Sequence, residues 1–197
     1  MAKQERAVRT RESLIRCAAE VFAREGYVSA SLSHISRRAG VSNGALHFHF
    51  EAKRELARAV EDEAARRVRV ITGDVPAADG VRGDALQGLI DATHGLMAGL
   101  AEDVVVRAGF ELGGEPALGA KAGVRRYWQA WVEDMLVRAE REGRLAEGMT
   151  PEGVAPAIVA VTVGFEVLGG TDSGWLTGQR IDAFWELILP RLTGEAV

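Results

Sequence analysis

Residues 41–50, VSNGALHFHF, gather two histidines, an asparagine, a glycine and two phenylalanines into ten positions. Three kinds of chemistry use such residues: metal ligation, aromatic packing and hydrogen-bond readout of another molecule. Spacing argues against a metal. His47 and His49 are two apart, which on a helix sends them to nearly opposite sides. The lone Cys17 rules out a disulfide framework within the chain and any multi-cysteine metal site. Catalysis is no better supported. There is no Gly-x-Ser-x-Gly, no phosphate loop and no His-Glu-x-x-His. Asp91 and His94 lie at i, i+3, but an isolated pair reads as a surface contact. The expectation is a protein that is not an enzyme and needs no metal or other cofactor.

The elements around the stretch decide between packing and readout. A helix is predicted over 8–25, with Leu14, Ala18 and Phe22 on one face and Gly26 as its stop. Ser31 caps a short second helix carrying Leu32, Ile35 and Ala39, which Gly40 ends. Ser42 caps a third, running to about His47. Leu46 and Phe50, at i, i+4, belong to the core. Asn43, Gly44, His47 and His49 are polar or small and lie away from that face. Two short helices joined by a glycine stop form the helix–turn–helix layout, in which the second helix meets base edges in the DNA major groove. Gly44 then allows close approach to a duplex.

Charge follows the same division. Residues 1–60 hold 11 Lys and Arg against 6 Asp and Glu, while residues 61–197 hold 13 against 22. A basic head on an acidic body points to a polyanion met only by the head. The rest of the chain reads as helix, with EAKRELARAVEDEAARRVRV starting a long fourth helix after Phe50 and others over about 81–100, 103–112, 120–142, 151–168 and 179–192, with Gly- and Pro-bearing joints. The fold class is therefore all-α, with residues 1–52 as a DNA-binding domain and 53–197 as a helical effector-binding and dimerisation domain. No run approaches the roughly 18 apolar residues of a membrane span and no signal core opens the chain, so a cytoplasmic protein without a membrane partner is expected.

The segment RTRESLIRCAAEVFAREGYVSASLSHISRRAGVSNGALHFHFEAKREL resembles the DNA-binding head of the TetR family of bacterial repressors. Gly26-Tyr27, Leu32, Ile35, Ala39-Gly40-Val41-Ser42, Gly44, Leu46, His49-Phe50, Lys53 and Leu56 fall where that pattern has them. The family commonly carries Lys in place of Asn43 and Tyr in place of His47. The resemblance implies that Ser42, Asn43, Gly44, Ala45, His47 and His49 face the groove. It implies that Thr10, Arg11, Ser31 and Lys53 hold phosphates, and that a basic arm (Lys3, Arg6, Arg9) reaches toward the adjacent groove. For Arg37 and Arg38, phosphate contact and a solvated face stay equally open.

In the body, Val124, Trp128, Trp131 and Met135 form a stripe at i, i+4, i+7, i+11. Such a stripe is ordinarily core, although two Trp with few polar neighbours also suit the wall of an apolar cavity. Thr162, on an otherwise apolar helix, ordinarily bonds back to its own turn. The segments VVVRAGFELGGE, YWQAWVEDMLVRAEREGRL and VAVTVGFEVLGGTDSGW resemble the γ-butyrolactone receptor branch of the same family. That resemblance implies a Trp stacked over a lactone, Trp128 first and Trp131 second, with Thr162 as polar anchor and Phe165 beside it. Ala64 stands where members of the branch often carry Gln. The branch includes pseudo-receptors that take other compounds, and the net charge of −4 favours a true receptor.

Two further stripes, Val154, Ile158, Val161, Phe165, Leu168 and Ile181, Trp185, Ile188, Leu192, suggest a four-helix dimer interface. The expected protein is thus a homodimeric repressor that binds a near-palindromic double-stranded DNA operator and is released by a small hydrophobic effector. The competing expectation is a partner-binding protein that has lost DNA binding.

Overall fold

Residues 2–14 contain neither glycine nor proline and are rich in good helix formers. In the computed structural model, which describes residues 2–73, 84–119 and 123–194, they form the opening turns of α1 (Ala2–Ser29). The basic arm is therefore helix, continuous with the helix predicted from residue 8. The side chain of Lys3 lies outside the described residues, as do positions 81–83 and 120–122, where two predicted helices begin. Gly26 bends α1 with φ 76° and ψ 158°, a conformation that side chains disfavour. One more turn follows before α2 (Leu32–Arg38). Gly40, at φ 68°, reverses the chain into α3 (Asn43–His49), and α4 (Lys53–Ile71) comes next. The chain continues through α5 (Ala85–Glu102), α6 (Val104–Gly113), α7 (Val124–Arg141), α8 (Pro151–Gly169) and α9 (Gly178–Thr193).

Contacts group these elements into two compact units. One contains α1, α2, α3, α4 as far as Arg66, and residues Val104–Val124. Its core is Leu14, Ala18, Phe22, Ile35, Leu46, Phe50, Leu56 and Val60, all essentially inaccessible to solvent. Helix α6 lies along α1. It also meets α4 closely: a Cβ built on Gly109 would fall 2.2 Å from Cβ of Ala64.

The other unit contains Arg67–Asp103 and the chain from Arg125 onward. Helix α5 buries Leu86, Leu89, Leu96, Met97 and Leu100 and packs on α8 and α9. Arg67 reaches both carboxylate oxygens of Asp103, at 2.6 and 2.5 Å. Two buried indoles are satisfied in the same way. The Nε1–H of Trp185 donates to Thr93 Oγ1 at 2.7 Å, and that of Trp128 donates to Thr162 Oγ1 at 2.9 Å. Each threonine also lies within bonding distance of a carbonyl of its own helix.

These contacts correct the proposed α9 seam. Ile181, Trp185 and Leu192 are buried within the single chain, as is Ile158 of α8. Helical spacing identifies an apolar stripe without saying what covers it, and here the other helices of the same unit do. On α8 and α9 the large apolar side chains left exposed are Val167, Leu168 and Leu187.

His94 joins α5 to α9. Its Nδ1 lies 2.9 Å from Ile90 O and its Nε2 2.7 Å from Asp182 Oδ1. Both partners only accept, so a doubly protonated ring satisfies both. Burial disfavours that charge, yet Asp182, the Ile90 carbonyl and Asp91 together hold the His94 pKa above its ordinary value. A raised folded-state pKa means the contact stabilises fully below the ordinary range near pH 6.5 and is lost as pH rises through the raised value. Melting temperatures of wild type and Asp182→Asn should therefore differ most below about pH 6 and converge in mildly alkaline buffer. A gap independent of pH would mean that His94 stays neutral.

Candidate nucleic-acid interface and ligand site

Both short helices carry the predicted caps. Ser31 Oγ accepts from His34 N at 3.2 Å and Ser42 Oγ from Ala45 N at 3.1 Å. Leu46 and Phe50 point into the core, and His47 and Phe48 point out. Phe48 is 82% exposed, the most exposed aromatic side chain among those described. Its ring meets that of His49 edge-on at 5.2 Å. The sequence reading assigned it no role, yet the signal was present. Leu46 and Phe48 are two apart on a helix, so with Leu46 inward Phe48 must face outward. An exposed ring there suits apolar contact with a thymine methyl.

Gly44 is equally informative. A Cβ added to it would meet only Ser42 Oγ, at 3.9 Å. Internal packing therefore does not require glycine, although glycine weakens a helix. Asn43, expected in the groove, is turned back on α2. Its Oδ1 lies 2.5 Å from Oγ of the buried Ser36, and its Nδ2 donates to Ser33 Oγ at 3.4 Å. It fixes the angle between the two helices, and its amide is engaged before any base arrives.

Lys53 departs furthest from the phosphate role. Its ammonium donates to the carbonyls of Tyr27, Val28 and Ala30 at 2.8, 2.9 and 2.9 Å, and sits 4.7 Å from the centre of the Tyr27 ring. An ammonium has three N–H donors, and all three are engaged. Thr10 bonds back to Arg6 O, and the Arg11 guanidinium lies over the Phe50 ring at 5.2 Å. Arg38, itself exposed, is paired with Glu20 at 2.5 Å. Arg6, Arg9, Arg11 and Arg37 remain exposed with no acidic partner among the described residues. Between them and the outer face of α3 lie the charges and surface that a duplex needs.

In the second unit, Trp128 is fully buried and stacks on Trp131 at 5.4 Å between centroids and 20° between planes. Thr162 is also buried. Its hydroxyl donates to Ile158 O at 3.0 Å while accepting from the indole, so it bonds back to its own helix as such a threonine ordinarily does. Phe165 is half-buried and packs on Trp175 at 6.1 Å. One turn from the Trp–Thr bond, Arg125 and the buried Glu166 meet at 2.5 Å. Burial pushes the Glu166 carboxyl up, and the neighbouring guanidinium opposes that rise. Neither residue was singled out from sequence, where an Arg and a Glu on separate helices give no hint of pairing. Ala64, in the first unit, is fully buried against Gly109.

A capped pair of short helices on a buried base, with an outward α3, defines a helix–turn–helix transcriptional regulator. Residues 14–60 match the family described as bacterial regulatory proteins, tetR family. The A-factor receptor protein of Streptomyces griseus is 34% identical over the whole of this chain and 68% of its own length. The chain belongs to the tetR family. A crystal structure of a gamma-butyrolactone receptor (ArpA like protein) superposes with TM-score 0.81 and 29% identity, covering 96% of this chain and 91% of that one. CprB from Streptomyces coelicolor, solved in complex with its biological operator sequence, gives TM-score 0.80 and 30% identity over 97% and 92%. These relatives are regulators rather than enzymes.

The Lys53 geometry makes a prediction that needs no DNA. Lys53→Met keeps the stem and removes the three donors, and should lower unfolding stability by about 1–3 kcal/mol in urea melts. An unchanged midpoint would mean that the ammonium does not hold the head together.

Proposed function

We propose that the chain is a ligand-responsive repressor that binds a near-palindromic operator as a homodimer and is released by a small apolar effector of the γ-butyrolactone type. The observation that carries this reading is the likeness to the A-factor receptor over the entire chain. A match confined to the head would support DNA binding and say nothing of an effector. Residues 1–52 are assigned to DNA reading, with Ser42, Gly44, Ala45, His47, Phe48 and His49 at the groove. Arg11, Ser31 and the exposed arginines are assigned to phosphate. Residues 53–197 are assigned to effector binding and dimerisation, with Trp128, Trp131, Thr162 and Phe165 at the effector. The protein acts in the cytoplasm and needs no cofactor.

Release follows from geometry. The two recognition helices must lie about 34–36 Å apart to enter successive major grooves. An effector that binds better to a conformation with another spacing shifts the protein away from its operator. Helix α4 is the suited lever, because it is continuous from Lys53 to Ile71.

The dimer reading rests on α8. It has 19 residues at mean hydropathy 1.5, long and apolar enough by composition to cross a membrane, yet only 22% of its apolar window is buried in the chain. Helix α9 likewise leaves Leu187 exposed, and a second copy is proposed as the cover of both. A second effector class is favoured by Ala64. Ala64 stands where the resembling branch often carries glutamine, so a pseudo-receptor taking a different hydrophobic compound is the alternative.

Selection of bound fragments from the source genome, followed by gel shifts with added 2-alkanoyl-γ-butyrolactones, tests the whole reading. Retention of no fragment at low salt would leave a partner-binding protein instead. Two variants test its parts. Gly44→Ala should stabilise the free protein by up to about 1 kcal/mol and weaken operator binding, since a methyl group fits the fold but fills the approach to the duplex. Equal operator affinity would move the contact elsewhere on α3. Leu187→Glu places a charge on a side chain 79% exposed in the single chain. Its fold should survive, and sedimentation at micromolar concentration should show monomers. A persistent dimer would put the interface on another face.

A further inference from the structure

Helices α7 and α8 are joined by two successive polar rungs. Trp128 Nε1–H donates to Thr162 Oγ1, and Arg125 Nη2 donates to Glu166 Oε2 at 2.5 Å. Arg125 precedes Trp128 by three residues, about 4.5 Å along the axis, and Glu166 follows Thr162 by four, so the rungs are neighbours on one face of each helix. In the first rung the indole N–H is engaged and the threonine hydroxyl turns to its own helix. In the second, one donor is left over. Arg125 Nε is buried and has no acceptor, the one buried side-chain nitrogen or oxygen so placed among the described residues. Buried N–H groups are almost always paired, and an orphan calls for an explanation.

We propose that the Nε–H of Arg125 is an effector-binding donor and that it selects a neutral molecule with a carbonyl or hydroxyl acceptor, such as an intact lactone, over the corresponding carboxylate. This rests on the reading that an effector occupies the Trp128 face. The selectivity comes from charge balance. The guanidinium already faces the Glu166 carboxylate, whose side chain is only 4% exposed. The pair is neutral as it stands. A lactone oxygen accepts the free N–H without changing that sum. A ring-opened hydroxy acid brings a second anion beside Glu166 with no further cation, and two carboxylates sharing a poorly solvated site disfavour each other.

Titration calorimetry on the full-length protein tests this with a 2-alkanoyl-γ-butyrolactone and its ring-opened sodium salt. Wild type should bind the lactone at least about tenfold more tightly than the salt. Arg125→Lys keeps a cation for Glu166 and deletes the Nε–H, and should lose about tenfold in lactone affinity, the worth of one hydrogen bond. Glu166→Gln removes the competing anion, and should narrow the preference for lactone over salt. If Arg125→Lys binds the lactone as tightly as wild type, the donor role is wrong while the lactone-receptor reading stands. If Arg125→Lys does not fold, Glu166→Gln decides, and an unchanged preference overturns the proposal. If wild type binds no lactone, both the proposal and the effector reading fall.

Discussion

One ammonium closes the DNA-reading head. The chain leaves α1 at the Gly26 bend, makes both short helices, and returns at Lys53, whose three N–H groups bind the carbonyls of Tyr27, Val28 and Ala30. Those carbonyls end a helix and have no partner further along it. A cation there is favoured by the helix dipole as well as by the hydrogen bonds. The helix–turn–helix is thereby a loop tied at its base. Everything that faces outward from α3 depends on that tie for its direction, and the Asn43 amide adds a second one between α2 and α3.

The second unit is organised by a different constraint. Its core is rich in tryptophan, and an indole cannot be buried without an acceptor for its N–H. Twice the acceptor is a threonine that also hydrogen-bonds its own helix. The arrangement lets an apolar helix hold a polar side chain at no cost in unpaired groups, and it locks the facing helices in register. Arg125 and Glu166 extend the same face with a charge pair. A buried ion pair seldom adds stability over apolar packing.

The two surfaces also differ in what they leave uncovered. On α3 the exposed groups are an aromatic ring, imidazoles and a glycine with space above it. That mixture suits a partner with both methyl groups and hydrogen-bonding edges. On α8 and α9 the exposed large apolar side chains are aliphatic, Val167, Leu168 and Leu187. They suit another apolar face, such as the proposed dimer would bring.

The amino-acid sequence by itself determined the helices and the caps. Gly26, Gly40, Ser31 and Ser42 act through local backbone geometry, and each does in the structure what its type and position require. Burial of Leu46 and Phe50 was legible for the same reason, since helical period decides which residues share a face. Tertiary structure decided which partner each side chain met. Lys53 looked like a phosphate ligand and became a clamp, because carbonyls 23 to 26 residues earlier in the chain were brought under its ammonium. The stripe Ile181, Trp185, Leu192 looked like a seam between copies and was covered by α5 of its own chain. Arg125 and Glu166, 41 residues apart, gave no signal at all. Local rules act over a turn of helix, whereas the choice of partner depends on contacts between segments that are distant in the chain.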